Sequence, residues 1–286
     1  AARAPIALRV VLTFSGSVSR AFDVLSAEGV LSRVRSLLLF CPHHAGAREH
    51  PSLDAAGPLL HALAELKAPP PFAGTQLQAF AFTSLREVAA DDPRVSEEWP
   101  RLADALGAFL SSPLGAAIAT VELFARAEPP QPAPLALSMP ALATLAVGSD
   151  HLAVDVTGCP ALAELWLTGG LPLPALPRSV RTLHLQDPAA AAMESLLAQC
   201  GTNHSLTTLT VESVAGAGPA VLRPLALVLA RLPLLSLFRL DDGDPDTLVA
   251  LADGYERRAG DARRLKVQVS LTRALCCSLG PACCLG

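Results

Sequence analysis

Apolar residues recur along this chain in a frame of three, in which the second follows the first by three positions and the third follows by two more. Leu162, Leu165 and Leu167 form the clearest copy. Because the last two apolar positions alternate with a different residue, each copy predicts a β-strand with one buried face. The other copies are Val34, Leu37 and Leu39; Leu77, Phe80 and Phe82; Ile118, Val121 and Leu123; Leu142, Leu145 and Val147; Val180, Leu183 and Leu185; Leu206, Leu209 and Val211; Leu235, Phe238 and Leu240; and the alternation Leu265, Val267 and Val269.

Between these frames, apolar residues at helical spacing predict helices. Asp187-Pro188 places a capping carboxylate before a first-turn proline, and a stripe from Met193 to Cys200 follows. The same spacing occurs near residues 18–25, after Ser52, after Ser96, over 221–232 and after Asp244. The Pro-rich segment 171–177 instead predicts an extended return. The repeating unit is therefore strand, turn, helix or extended return.

The residue held between the two inward positions of a frame is often polar or amphipathic. These residues are Glu122, Trp166, His184, Thr210, Arg239 and Lys266. A doubly wound sheet would have both faces covered and continuous apolar strands, so this pattern favours one solvent-facing side. We therefore predict an α/β solenoid of horseshoe shape, with a curved parallel sheet on the concave face and helices or extended returns on the convex face. The sequence contains neither G-x-G-x-x-G nor a P-loop motif.

Measured between middle positions from Leu145 to Leu265, the spacings are 20, 18, 26, 29 and 27 residues, as in leucine-rich repeats. The segment from Cys159 to Leu167 resembles the leucine-rich-repeat superfamily, in its ribonuclease-inhibitor-like or cysteine-containing subtype, as an irregular and degenerate member. The resemblance implies that Cys159 is a small buried residue. The chain departs from the family at the position five residues after the middle leucine, where the family usually has an Asn or Cys that hydrogen-bonds from repeat to repeat. Here this position is occupied by Asp150, Gly170, Pro188, Val214 and Gly243.

The pattern predicts a single solenoid over residues 1–275. It consists of irregular long units over 1–125, Pro-rich short units over 126–187 and strand–helix units over 188–275, followed by a Cys-rich tail over 276–286. In that tail, disulfides, metal binding or lipid modification are alternative interpretations, and a partly disordered or partner-covered segment is the favoured one; its cysteines are Cys276, Cys277, Cys283 and Cys284. The scattered Cys41, Cys159 and Cys200 are typical of core residues, which predicts an intracellular protein of the cytoplasm, cilium or an organelle.

Composition limits the choice of partners. A net charge of −4 and 17% charged residues give no electrostatic footprint for nucleic acid. The most apolar stretch, residues 219–240, is interrupted by three arginines, so no transmembrane segment is predicted.

Candidate catalytic and metal-binding groups fail on spacing. The cluster around Cys41, His43, His44, His50 and His61 matches no standard zinc pattern. Ser15, His184 and Asp187 lack a nucleophile elbow, and the acidic loop from Asp241 to Asp246 lacks the calcium-loop spacing. We therefore predict no enzyme activity, no catalytic residue, no metal and no cofactor.

The exposed strand face carries the functional prediction. Its candidate partner-binding residues are Trp166, Glu164, His184, Arg181, Glu122, Glu212, Arg239 and Lys266. Trp166 is predicted to anchor a partner, because large aromatic side chains dominate interface energies; in the alternative, an N-terminal insertion covers it.

The predicted function is a non-enzymatic protein–protein interaction module or scaffold. An alternative is a structural accessory subunit embedded in a large organellar or ciliary assembly. The support for that alternative is an apolar content of 51% and a mean hydropathy of +0.41. A ubiquitin-ligase substrate receptor is a third version, although no F-box is recognisable.

Overall fold

The computed structural model places the chain in two compact units, unit 1 over Ala1–Leu162 and unit 2 over Ala163–Gly286. It describes residues 8–13, 33–41, 56–65, 77–84, 93–125, 133–149, 152–169, 171–200, 205–212, 219–232, 234–235, 237–243, 249, 251 and 266–271. The prediction of one solenoid over 1–275 followed by a separate tail remains a prediction.

Unit 1 contains an open parallel sheet. Its strands, in the order in which they pair, are β1 Leu8–Thr13, β2 Val34–Cys41, β3 Ala79–Ser84, β4 Thr120–Ala125 and β6 Thr144–Gly148. A separate pair of short parallel strands is formed by β5 Ala133–Ala136 and β7 Leu152–Asp155. The helices of this unit are α1 Ala56–Glu65 and α2 Pro93–Leu110, with a 3-10 turn at Gly115–Ala117.

Unit 2 repeats the arrangement. Its parallel strands are β8 Glu164–Thr168, β9 Thr182–Gln186, β10 Thr208–Glu212, β11 Leu237–Gly243 and β12 Lys266–Leu271, paired in sequence order. Helices α3 Ala190–Gln199 and α4 Pro219–Arg231 pack against each other. Within each unit the strand order is linear and the sheet does not close into a barrel.

The apolar frames form the buried sides of these sheets. Leu37, Leu145 and Leu183, all at the middle position of a frame, are completely buried. Burying a leucine side chain contributes about 1.5–3 kcal/mol, so a chain of such positions supplies most of the driving force for folding. In unit 1, Phe109 of α2 packs on Phe80 of β3 with ring centroids 4.9 Å apart and ring planes tilted by 55°, an arrangement that aromatic pairs prefer.

One backbone hydrogen-bond pattern precedes several strands. The residue directly after the first frame position accepts, at its carbonyl, hydrogen bonds from two consecutive amides that precede or begin the next strand of the sheet. The carbonyl of Ala119 accepts from the amides of residues 143 and 144, at 2.8 and 3.0 Å, and the carbonyl of Ala163 accepts from residues 181 and 182, at 2.9 and 3.0 Å. This recurrence sets the register between neighbouring strands at the same frame position in both units.

The turn before each strand is equally regular. The amide of the first frame residue donates to the carbonyl three positions earlier, as in Leu142 to Met139 and Leu162 to Cys159, both at 3.2 Å. Chain segments pass closely here, since a Cβ added at Gly158 would lie 2.6 Å from the Leu137 carbonyl oxygen. Glycine is required there because any side chain would displace backbone.

The turns that follow β8 and β9 use another shared device. Gly169 has φ 102° and Asp187 has φ 49°, a left-handed conformation that glycine and, to a lesser extent, aspartate tolerate. Their amides donate to the Gln186 and Glu212 carbonyls at 2.9 and 3.1 Å. These bonds satisfy the amides of the two turns.

The frame copies from Val34 to Leu240 are confirmed as the parallel strands β2, β3, β4, β6, β8, β9, β10 and β11, and the α/β class is confirmed with them. The structure differs from the prediction in five respects. Strand β1 and the β5–β7 pair were not predicted. In β12, Val267 pairs with Phe238, so the middle position is Val267 and not Leu265. The other two concern helix starts.

Helix α2 begins at Pro93, three residues before Ser96, whereas the sequence predicted it to follow Ser96. Helix α3 has Ala189 at its N-cap without a side-chain cap, so Asp187 does not cap it. Asp187 instead has a left-handed φ of 49° in the turn that precedes the helix. The predicted stripe is nevertheless buried at Met193, Leu196 and Cys200. Helices predicted near 18–25 and after Asp244 fall outside the described residues, apart from helical positions 249 and 251.

Candidate functional site

The candidate site lies on the side of β8 and β9 that faces away from the frame residues. In β8, Leu165 is fully buried whereas Trp166 next to it is exposed, because successive side chains of a strand point to opposite faces. The register pairs Trp166 with His184, His184 with Thr210 and Thr210 with Arg239. Equivalent frame positions therefore form one row across unit 2.

Three of the predicted residues, Glu164, Trp166 and His184, form a connected group that we call the Trp166 cluster. The Trp166 indole and the His184 imidazole are stacked, with ring centroids 3.6 Å apart and planes within 8° of parallel. Trp166 Nε1–H donates to Glu164 Oε1 at 2.9 Å. The same Glu164 oxygen lies 3.7 Å from His184 Nε2. Two of the indole's surfaces, one ring face and the N–H edge, are thus fixed by neighbours.

The fixed indole is partly open to solvent, since Trp166 is 41% exposed. The alternative in which an N-terminal insertion covers it remains a prediction. Exposure decreases along the row: the His184 side chain is 14% exposed, and Thr210 is 2% exposed. The expectation that Thr210 faces solvent is wrong, since a short threonine beside a larger imidazole lies below the level of its neighbour.

A second polar row lies at the carboxyl ends of these strands. Thr168 Oγ1 donates to Gln186 Oε1 at 3.2 Å, and the register continues from Gln186 to Glu212 and from Glu212 to Asp241. The predicted residue Glu212 therefore belongs to a row next to the Trp166 cluster and is not part of it.

The remaining predicted residues are distributed more widely. Arg181 is exposed but precedes β9, at the amino ends of the strands, where its carbonyl accepts the amides of residues 207 and 208 at 2.8 and 3.0 Å. Lys266 pairs with Leu237, whereas Arg239 pairs with Gln268, so the two cations stand in different rows. Glu122 lies on β4 of unit 1 and is exposed there.

The outward face of the unit 1 sheet has a different character. The register aligns Val11, Leu38, Ala81, Glu122 and Ala146 in one row. Val11 is 51% exposed and Phe124, in the next row, is 37% exposed. The Phe124 ring lies against Gly148, where an added Cβ would collide with it. Glu122 therefore stands among apolar and small side chains.

The two described free thiols are poor nucleophiles. Burial raises the pKa of Cys200 to about 11, although Arg231 opposes the shift. Burial also raises the pKa of Cys159, against the hydrogen bond from the Met139 backbone. Since the thiolate is the reactive form, both side chains act as small apolar core residues. The expected burial of Cys159 is confirmed, and its Sγ–H donates to the Leu137 carbonyl at 3.6 Å.

Within the described ranges, His, Cys, Asp and Glu form no group of three or more that could hold a metal ion. Among the helices that the structure describes, none is long and apolar enough to cross a membrane. The predicted metal candidate set lies largely outside these ranges, with His61 exposed on α1.

The stack between Trp166 and His184 was not predicted, although both residues were singled out separately. The available signal was their shared frame position: both follow the middle apolar residue, in units 18 residues apart. Parallel strands paired frame to frame place such residues side by side.

In comparisons with protein-family models, with curated proteins and with solved structures, none matched this chain.

Proposed function

We propose that this chain is a protein-binding module whose Trp166 cluster anchors a partner on the outward strand face of unit 2. We further propose that its strand-and-return units form a solenoid of the leucine-rich-repeat type, with that face on the concave side. The module binds without catalysis and needs no cofactor.

The observation that carries this proposal is an exposed indole held in one orientation. Trp166 is 41% exposed, although it stacks on His184 and donates to Glu164. A side chain already immobilised loses little conformational entropy on binding, and ordering a mobile side chain costs about 0.5–1.5 kcal/mol. Large aromatic side chains with this preorganisation are the typical anchors of protein interfaces.

The test begins with recovery of the partner. The tagged full chain is crosslinked in its native cells, its partner is identified, and the partner's affinity is measured for the wild type and for Trp166→Ala. An interface anchor contributes about 2 kcal/mol or more, so the variant should bind at least about 30-fold more weakly. Its thermal stability should change little, because Trp166 lies outside the core.

Phe124→Ala is the matched control, since it removes an aromatic side chain of similar exposure from the outward face of unit 1. Unchanged affinity of this variant, with loss in Trp166→Ala, supports the proposal. Equal affinity of Trp166→Ala and wild type contradicts it.

A second function, that of a permanent accessory subunit in a large assembly, is favoured by the exposed apolar side chains. Val11, Leu234 and Val249 are 51%, 55% and 61% exposed, and burial by neighbouring subunits would stabilise them. Under this function the isolated chain should self-associate, and Phe124→Ala should weaken assembly more than Trp166→Ala. Size-exclusion chromatography with light scattering tests the first expectation, and a soluble monomer would contradict it.

A further inference from the structure

The Trp166 cluster has an acceptor and a ring face arranged for a particular kind of side chain. Glu164 Oε1 accepts the indole N–H at 2.9 Å, which holds the carboxylate at the edge of the indole ring. The Glu164 side chain is 38% exposed. A ligand that reaches the open part of the indole therefore also reaches a carboxylate.

We propose that the partner presents an arginine to this cluster, with its guanidinium stacked on Trp166 and hydrogen-bonded to Glu164. This inference rests on the proposed function and names the chemistry of the partner residue. A guanidinium is planar, stacks on aromatic faces and donates two parallel hydrogen bonds to a carboxylate. Both halves of the cluster are used by one side chain.

The covered face of the indole favours a single cation over an aromatic cage. His184 occupies one face at a centroid distance of 3.6 Å, so one face is left for a ligand. A methylated ammonium is usually surrounded by several aromatic rings, which the cluster does not provide. An inserted neutral aromatic ring would make no use of Glu164.

The charges of the surrounding face are compatible with this ligand. The strand positions next to the cluster are Thr182, Thr168 and Gln186, which are uncharged. Arg181 stands at the amino end of β9, outside the strand. The Glu164 carboxylate is the charged group in direct contact with the Trp166 edge, and its attraction for a cation weakens as salt increases.

The experiment uses the full chain labelled with ¹⁵N-tryptophan. The chain contains two tryptophans, Trp99 and Trp166. Each gives one indole N–H signal, and Trp99 is 2% exposed, so its signal serves as an internal reference. The probes are three blocked tripeptides, acetyl-Gly-X-Gly-amide, in which X is arginine, lysine or citrulline.

The arginine peptide should shift the Trp166 signal saturably and leave the Trp99 signal in place. Lysine should bind at least threefold more weakly and citrulline, which is uncharged, should not saturate. Glu164→Gln should weaken arginine binding at least fivefold. Glu194→Gln, the same charge change on exposed α3 of the same unit, should stay within twofold of wild type.

An arginine peptide that does not saturate, a citrulline peptide that binds equally well, or an unchanged Glu164→Gln variant would overturn the inference. Partner binding that still requires Trp166 would then leave the proposed function standing. If instead the arginine peptide binds but Trp166→Ala leaves the affinity for the partner unchanged, the cluster is an arginine site and the proposed anchor role fails.

Discussion

The outward faces of the two units differ, although both sheets are built on the same apolar frame. Around the middle of each sheet, unit 1 presents Val11, Leu38, Ala81, Glu122 and Ala146, whereas unit 2 presents Trp166, His184 and Thr210. The inward frame positions are buried and apolar in both units. This difference shows that packing constrains the inward positions alike, whereas the outward positions are free to acquire separate roles.

The largest expected effect concerns the buried sides. Leu145 in unit 1 and Leu183 in unit 2 occupy the same frame position and are both fully buried. Replacing either by alanine removes burial and leaves a cavity, so each variant should lose about 2–5 kcal/mol of unfolding free energy. Urea denaturation followed by circular dichroism measures this. A loss below about 1 kcal/mol in one variant alone would break the equivalence of the two cores.

A side chain added at either of two glycines of unit 1 would collide with its surroundings, in one case with backbone and in the other with a movable side chain. A Cβ at Gly158 meets the Leu137 carbonyl oxygen at 2.6 Å, whereas a Cβ at Gly148 meets the side chain of Phe124. Gly158→Ala should cost about 1–3 kcal/mol, because overpacking forces the backbone to shift. Gly148→Ala should cost less, since the outward ring can rotate away.

The control for this pair is a double-mutant cycle with Phe124→Ala. In that background Gly148→Ala should become nearly neutral, since residues in contact are not additive. If Gly148→Ala lowers the unfolding free energy by a similar amount with and without Phe124, then the backbone, and not the ring, opposes the new side chain.

The buried thiols predict a loss of stability at alkaline pH. Burial raises the pKa of Cys200 from its ordinary value of 9.0 to about 11 in the folded chain. The folded state therefore holds its proton more tightly, and its stabilising contribution, complete below pH 9.0, is lost as pH rises towards about 11. The slope for one such group is at most about 1.4 kcal/mol per pH unit.

Urea midpoints between pH 8 and pH 10.5 measure this dependence. Cys200→Ala should reduce the fall in stability with pH. Burial also raises the pKa of Cys159, so this thiol accounts for part of the fall that remains in the variant. A wild-type midpoint that does not fall above pH 9 would contradict the burial of both thiols.

The smallest effect on stability, and the sharpest contrast between an inward and an outward aromatic residue, concerns the two tryptophans. Acrylamide should quench Trp166, which is 41% exposed, and hardly reach Trp99, which is 2% exposed. Trp166→Phe keeps a ring to stack on His184, so its stability should stay within about 1 kcal/mol of wild type. Its remaining emission should be quenched at least threefold less. Equal quenching in both proteins would place Trp166 inside the fold.

Most strands could be predicted, because the frame carries its own geometry. Leu162, Leu165 and Leu167 were sufficient to predict β8, and equivalent residues predicted β2, β3, β4, β6, β9, β10 and β11. Strand β1 was missed because it has no complete frame, and β5 with β7 because short strands in a Pro-rich segment have no distinct pattern. The start of α2 was misplaced because the apolar spacing begins only after Ser96, whereas Pro93 already meets the requirements of a first helical turn.

The candidate site was predicted as a set of positions and not as a contact. The sequence identified Trp166, Glu164 and His184 as outward residues, since each alternates with apolar neighbours. Their stacking and shared hydrogen bond depend on the register between β8 and β9. That register is maintained by backbone bonds such as those to the Ala163 carbonyl, which no side-chain pattern encodes directly.

By itself, the sequence determined which residues face inward, because burial follows the period of two along each strand and is largely independent of what lies opposite. The tertiary structure alone decided which outward residues meet and how deeply each is covered. Thr210 and Trp166 occupy equivalent frame positions, yet one is buried and the other is exposed. The reason is that exposure on a sheet depends on the size of the side chains in neighbouring strands, and those neighbours are far away in sequence.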